Sequence, residues 1–466
     1  MMSENAVCLS LKKIVGKEFV SNQQEELYIY SRDLGTCNPG KADYVVAPRT
    51  VEEIMEVVRL SASHKIPIVP LGGGLNLSGL TVPCHGGIIM DTKRMDDIIE
   101  VNDISRYALI EAGVTLGKLN SYLKKKHPNL RFSMADAPPT STIVGNALIY
   151  GSGHLSKYGI HSEMINGIEV VLPTAEICRI GSCSVSPIWF GKASLPDLSS
   201  LFVNWYGTTG IVTKLSLKLY PRHSMRDMLI FTVQESDTIP DAIQRITETE
   251  MMEDVIIIAT KPDKSNVIMI LLLIYVTADS ENELKVKKKI FKKMFKGNKI
   301  IYVPKELFPS KLTKHYMGEP KYGIEELADL KKGGGFEYLG ANLPIDSIPI
   351  AFSKGVAIAK KYGYDSPIYI IRNIGIGQSV IFTFQYPFNR ADEKSLEATR
   401  NAIIETTDMV IDIGGVPWKP SIIEQQGIIK KMNPITFELM NKIRGLMDPN
   451  RIMNPGKWEI VSTCNN

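Results

Sequence analysis

The chain is short of cysteine, of charge bias and of long apolar runs, and each shortage excludes a class of protein. The six cysteines, Cys8, Cys37, Cys84, Cys178, Cys183 and Cys464, are scattered and form no C-x-x-C. That removes the ligand spacing of an iron–sulfur cluster or zinc ribbon and fits free thiols in a reducing compartment, with the cytoplasm as the default location. Lys plus Arg number 54 and Asp plus Glu 50, a net charge of +4, which gives no argument for nucleic-acid binding. The longest uninterrupted apolar run, residues 267–276, is half of the about 20 residues that a transmembrane helix needs, so it reads as a buried strand. Residues 1–18 mix Glu and Lys through their apolar positions and lack the continuous apolar stretch of a secretory signal. What is present is a soluble globular composition, 44% hydrophobic and 22% charged over 466 residues, enough for two or three domains.

The first part of the chain alternates strand-like and helix-like segments. Residues 44–47 form a short apolar strand ending at Pro48; Thr50, with Glu53 three residues on, caps a helix through Met55, Val58 and Leu60. Strands follow at 67–70, 88–91 and 107–111, and a helix at 116–126, an alternation that predicts mixed α/β structure. A second block, 143–221, holds strands at 167–172 and 215–219 and ends at Tyr220-Pro221. Beyond it, strands at 228–233, 255–259, 267–276, 368–374 and 379–385 enclose helices at 240–249, 282–296 and 348–362, the pattern of an α+β domain. The tail, 395–457, reads as largely helical with a polar end at 448–458. The stretch 281–299 carries eight lysines, read either as a solvated helix face or as a docking face for an acidic electron carrier or a membrane surface.

The segment Leu71-Gly72-Gly73-Gly74-Leu75-Asn76-Leu77-Ser78-Gly79 follows the strand at 67–70. Consecutive glycines let main chain approach a ligand and present successive N–H groups to an anion. The Gly-Lys-Ser/Thr end of a P-loop is missing, and no long helix starts where a G-x-G-x-x-G dinucleotide loop would need one. Further on stand Ala137-Pro138-Pro139-Thr140-Ser141-Thr142-Ile143-Val144-Gly145-Asn146, Tyr158-Gly159-Ile160-His161, Glu169-Val170-Val171-Leu172-Pro173, Gly207-Thr208-Thr209-Gly210-Ile211-Val212-Thr213 and Met447-Asp448-Pro449-Asn450-Arg451-Ile452-Met453-Asn454-Pro455-Gly456-Lys457.

In this order and spacing, these segments resemble the vanillyl-alcohol oxidase and p-cresol methylhydroxylase superfamily of flavoproteins, which includes the glycolate-oxidase D-subunit and D-lactate dehydrogenase type. The resemblance covers residues 44–221 and 448–457. It implies FAD, with Leu71, Gly72, Gly73, Gly74, Leu75, Asn76 and Ser78 as the pyrophosphate loop. Ala137, Pro138, Thr140, Ser141, Thr142, Gly145 and Asn146 would line the diphosphate and ribityl chain, with Tyr158 and His161 alongside. Gly207, Gly210, Ile211 and Val212 would lie by the adenosine half, and Asn454 would close the site. A dianionic diphosphate needs many fixed donors and little bulk, which glycine and hydroxyl residues supply.

The resemblance also bears on the chemistry. Gly74 stands where covalently flavinylated members carry a histidine, so the FAD is expected to be non-covalent, with His315 or a substrate-domain tyrosine as the remaining points of attachment. The places of the family's histidine-bearing metal motifs are taken by Asn373-Ile374-Gly375-Ile376-Gly377-Gln378 and Gly414-Gly415-Val416-Pro417-Trp418-Lys419, neither with a histidine, so no metal is expected. Trp418 and Lys419 would stand where the phenol-oxidising branch places an aromatic and an arginine. Trp418 could donate only through its indole N–H, and Lys419 is a point charge, not a planar fork. Ala137 replaces that branch's active-site Asp, and Asp136 is one residue away. Arg372 lies in an apolar strand, where a charge must be paired or face a cavity. Each has a plainer reading: Trp418 as core, Lys419 as a surface charge, His161 as a turn residue.

The expected fold class is α+β, a two-subdomain FAD-binding domain of p-cresol methylhydroxylase type (1–221) followed by an α+β substrate or cap domain with an antiparallel sheet (222–420) and a helical segment returning to the FAD domain (421–466). The expected activity is hydride transfer from an alcohol, phenol or 2-hydroxy acid to flavin N5, with Arg372, Lys419, Trp418 and Asp136 as the catalytic candidates. The alternatives are a flavin-binding protein without turnover and a metal-independent 2-hydroxy-acid dehydrogenase. The expected partners are a small-molecule substrate and an acceptor that is oxygen, a quinone, a cytochrome or an electron-transfer flavoprotein; homo-oligomerisation and a location peripheral to the membrane stay open.

Overall fold

The computed structural model describes residues 4–77, 79–260, 268–297, 299–308, 316–317, 333–364, 368–377 and 379–460. Ser78, His315 and Gln378 lie outside the described residues. The N-terminal part is built on two sheets. The smaller has the order β1 (Val20–Ser21), β2 (Tyr44–Val46), β4 (Ile88–Asp91), β3 (Ile68–Leu71), with β2 and β3 each parallel to β4. These strands are apolar on both faces, as parallel strands covered on both sides must be. The helix Val51–His64 starts as its sequence predicts, with the Thr50 hydroxyl accepting from the Glu53 amide. The returning bond falls one residue early: the Glu53 carboxylate accepts from the Arg49 amide at 2.6 Å.

The second sheet is antiparallel, in the order β5 (Ile98–Asn102), β6 (Tyr107–Glu111), β10 (Ile211–Lys218), β8 (Ile165–Val171), β9 (Ile177–Gly181). Tyr220–Pro221, where the sequence suggests a boundary, forms β11 and pairs with β7 (Leu130–Arg131).

A third, eight-stranded antiparallel sheet follows. Its strands are β12 (Met225–Val233), β13 (Met252–Thr260), β14 (Met269–Ala278), β15 (Ile300–Val303), β16 (Gly335–Pro344), β17 (Tyr369–Ile374), β18 (Ser379–Phe388) and β19 (Val416–Trp418), in the order β15-β12-β14-β13-β17-β18-β16-β19. Five of these are legible as apolar runs. β16 is not, because Gly335, Glu337 and Gly340 interrupt it, and β19 interrupts a tail that reads as helical; the tail's helices are Glu393–Asp412, Ile422–Lys431 and Pro434–Met447. Helices Ile239–Glu248, Ile348–Lys361 and Glu393–Asp412 pack on one face of the sheet, over Phe231, Ile257, Leu272 and Phe382. Strand alternation sends Tyr369 and Ile371 to that face and Ile370 and Arg372 to the other, which looks back at the N-terminal part. No helix among the described residues is long and apolar enough to cross a membrane.

The loop after the helix Gln24–Tyr30 is clasped by the large sheet. The Thr36 amide and hydroxyl both donate to Glu337 Oε2, at 2.8 and 3.0 Å, the Phe336 amide donates to Leu34 O, and Arg400 donates to Thr36 O. Glu337 is 1% exposed and its Oε1 has no partner, and burial pushes its carboxyl well above the usual range. The folded state therefore keeps a proton that the unfolded chain releases, and stability falls as pH rises above the ordinary carboxyl pKa. Glu337→Gln keeps the acceptor and removes the titration. Its stability should gain on the native chain as pH rises above about 5, at up to roughly 1 kcal/mol per pH unit until the folded carboxyl ionises; a pH-independent difference contradicts the assignment.

Candidate cofactor and active site

A cavity of about 390 Å³ runs from the glycine loops of the two small sheets to the inward face of the large one. At one end, the chain leaves β3 at Leu71 and lies against residues 140–142. A Cβ on Gly72 would stand 2.5 Å from Thr142 Oγ1, which leaves no room for it unless Thr142 moves, and one on Gly73 would stand 3.0 Å from Thr140 O, tighter than ordinary contact. Gly74, at φ +69°, would meet only Leu71 at 4.0 Å. This end is thus walled by main chain and by Ser141 and Thr142, with no lysine, a lining suited to a diphosphate. Of the sequence candidates, Leu71, Gly72, Gly73, Gly74, Leu75, Asn76, Ala137, Pro138, Ser141, Thr142, Gly145, Asn146, Gly207, Gly210, Ile211 and Val212 line the cavity.

Asp136, Arg372, Trp418 and Lys419 line it too, while the remaining cofactor candidates stand behind or outside that lining. Thr140 is exposed, and the exposed Tyr158 stacks on Tyr220 at 4.3 Å. His161 is buried between Asn146 Oδ1 and Ser133 Oγ. Burial, then Lys419 and Arg372, bring its pKa down to about 3, so it is neutral and fixes Asn146 in place. Asn454 donates to Leu80 O at 3.0 Å and Tyr206 O at 2.6 Å, while its amide donates to Ile68 O, which stitches three chain segments around the glycine loop.

At the other end, strand alternation presents Phe336 and Tyr338 from β16, Ile370 and Arg372 from β17, and Ile381, Thr383 and Gln385 from β18. Arg372 pairs with two carboxylates: Nη1 lies 2.7 Å from Asp136 Oδ2, and Nη2 lies 3.2 Å from Asp254 Oδ2 without a hydrogen bond. The second Asp136 oxygen lies 2.6 Å from His154 Nε2. Burial alone would raise the Asp136 carboxyl, but Arg372 and His154 hold it far below the usual carboxylate range. Asp136 keeps 38% of its side chain open to the cavity, whereas Asp254 is fully buried.

Trp418 packs on Gly340 and donates its indole N–H to Tyr150 O at 2.7 Å, so the donor expected to face a substrate is already engaged. Lys419, at φ 54°, places its ammonium 4.0 Å over the Trp418 ring. No described carboxylate pairs with it, and burial lowers its pKa to about 7.

His154 and Asp254 escape a reading of the sequence. His154 sits in a loop without a motif. Asp254 carries the same signal as Arg372, a charge beside the apolar run of β13, and the two meet because Ile256 and Arg372 are register partners. Among the described residues no group of three His, Cys, Asp or Glu is placed to hold a metal. The lysine-rich segment forms the helix Glu281–Met294, where Lys285, Lys287 and Lys288 pair with Glu281, Glu283 and Asp227.

Residues 42–181 match the family described as FAD binding domain, and residues 328–458 that described as FAD linked oxidases, C-terminal domain. The chain is 31% identical to glycolate oxidase subunit GlcD of Bacillus subtilis over 52% of its own length and 50% of that protein's, so it spans about half the length of the first curated relatives it matches. It is 23% identical to the flavoprotein subunit of 4-cresol dehydrogenase [hydroxylating] of Pseudomonas putida over 97% of this chain and 95% of that one. In three dimensions it superposes on p-cresol methylhydroxylase with substrate bound, with a TM-score of 0.86 at 20% identity, over 98% of this chain and 97% of that one. Residues 42–181 thus match an FAD binding domain, residues 328–458 match an FAD-linked oxidase C-terminal domain, and the fold of the chain is that of p-cresol methylhydroxylase.

Proposed function

We propose that the chain is an FAD-dependent oxidoreductase that takes a hydride from a small alcohol, phenol or 2-hydroxy acid, and that Lys419 holds the substrate's negative charge. The observation that carries this reading is one cavity joining the glycine loops to a half-buried ammonium without a carboxylate partner among the described residues. Leu71–Asn76 and, by sequence, Ser78 would hold the FAD diphosphate, with Ala137, Pro138, Ser141, Thr142, Gly145 and Asn146 beside them. Gly207, Gly210, Ile211 and Val212 would take the adenosine half, with Thr140, Tyr158, His161 and Asn454 supporting the lining. Bound FAD supplies the hydride-accepting ring.

The chain's own residues orient the substrate and manage charge. The Arg372 guanidinium is matched in charge by two carboxylates, although its Nε and Nη2 make no hydrogen bond, so Arg372 supports the site rather than supplying spare positive charge. Trp418 offers its ring face as a wall. Lys419 offsets negative charge that develops on the substrate oxygen. The domain limits we propose follow the sheets, with the cap beginning after Tyr220–Pro221.

Anaerobic mixing of the FAD-loaded protein with a panel of alcohols, phenols and 2-hydroxy acids should bleach the flavin with at least one of them; no bleaching across the panel contradicts turnover. After acid precipitation the flavin should stay in the supernatant. Colour in the pellet would mean a covalent link, with Tyr338 the cavity-lining cap tyrosine to test first. Lys419→Met should raise KM for anionic substrates about tenfold without loss of FAD. Because the native lysine loses its charge as pH rises through about 7, KM should climb above that point to a plateau about tenfold higher, and Lys419→Arg should abolish the climb. A native profile flat from pH 6 to 9 contradicts the role.

A further inference from the structure

We infer that Asp136 makes the cavity selective for singly charged anions by repelling the second charge of a dianionic substrate. The inference rests on the reading of Lys419 given above. Three residues that can carry charge at neutral pH line the cavity among the described residues: Asp136, Arg372 and Lys419. The charge around Arg372 is already balanced or over-balanced. One guanidinium faces two carboxylates, Asp136 at 2.7 Å and Asp254 at 3.2 Å, so these three groups sum to −1, and to zero when His154 is protonated. Neither state leaves positive charge to spare. Tyr275 and Tyr316, which also face this cluster, add no cation.

Lys419 is then the unmatched cation of the described lining, and it can neutralise one negative charge. A second carboxylate on the same small substrate would have two places to go. It could lie against Ile370, Ile381, Thr383 or Gln385, where a charge has no counter-ion. Otherwise it would meet Asp136, whose carboxylate opens onto the cavity across 38% of its side chain. The attraction of Arg372 and His154 keeps that carboxylate ionised, so it acts as a fixed negative charge and does not yield to an incoming anion by taking a proton.

The test uses the FAD-loaded protein at pH 6.5, where Lys419 is charged. Ligand pairs that differ by one carboxylate, lactate against malate and benzoate against terephthalate, are titrated anaerobically against the flavin spectrum and, for the hydroxy acids, against the rate of bleaching. The native protein should prefer the monoanion of each pair by tenfold or more. Asp136→Asn should narrow that preference to about threefold, while His154→Gln, which leaves the Asp136 carboxylate in place, should keep it. Equal affinity of the native protein for both members of a pair overturns the inference, as does an unchanged preference in an Asp136→Asn protein that still holds FAD. The native comparison decides the matter if that variant does not fold. Failure of every anion, mono or di, to perturb the flavin would instead overturn the role of Lys419.

Discussion

The structure turns on one buried guanidinium. Arg372 leaves the large antiparallel sheet on its inward face and meets Asp254 of the same sheet and Asp136 of the FAD-binding part. An isolated buried charge of this kind costs several kcal/mol, so the arginine is tolerated only while both carboxylates are in place. That requirement fixes how the loop carrying Asp136, Ala137 and Pro138 sits against the sheet, and with it the far wall of the cavity. The pair is a device for position more than for net stability.

The other end of the cavity is set by backbone proximity. Gly72 and Gly73 lie so close to Thr142 and Thr140 that a methyl group would crowd them, and Asn454 ties the same region to Leu80, Tyr206 and Ile68. A rigid strip of main chain and hydroxyls results, a lining suited to a diphosphate held through fixed dipoles without a cation. Between the rigid strip and the charged cluster, Lys419 is the group whose charge is least constrained. It sits on an aromatic face, away from carboxylates, with its pKa brought near neutrality by burial.

Much of this was legible in the sequence, for identifiable reasons. A glycine that must accept a close neighbour has no substitute, so Leu71–Asn76 and Gly207–Val212 stand out before any coordinates exist. Arg372 stands out because a charge in an apolar strand demands a partner. The partners were harder to find. Asp136 was legible only through its place beside Ala137, and His154 and Asp254 reach the cluster by tertiary pairing that no local pattern encodes. β16 was hidden for a physical reason: Gly340, which weakens its strand signal, makes room for Trp418, since a Cβ there would stand 2.4 Å from the indole ring. Lys419 lines the cavity, and the use of the Trp418 N–H by Tyr150 O carries no signal in the sequence.

The most direct test of the account is the visible absorption spectrum of the purified chain before and after addition of FAD, followed by gel filtration. Structured flavin bands that travel with the protein, in about one equivalent, are the predicted result. A protein that stays colourless after saturation with FAD, while correctly folded by circular dichroism, would contradict it.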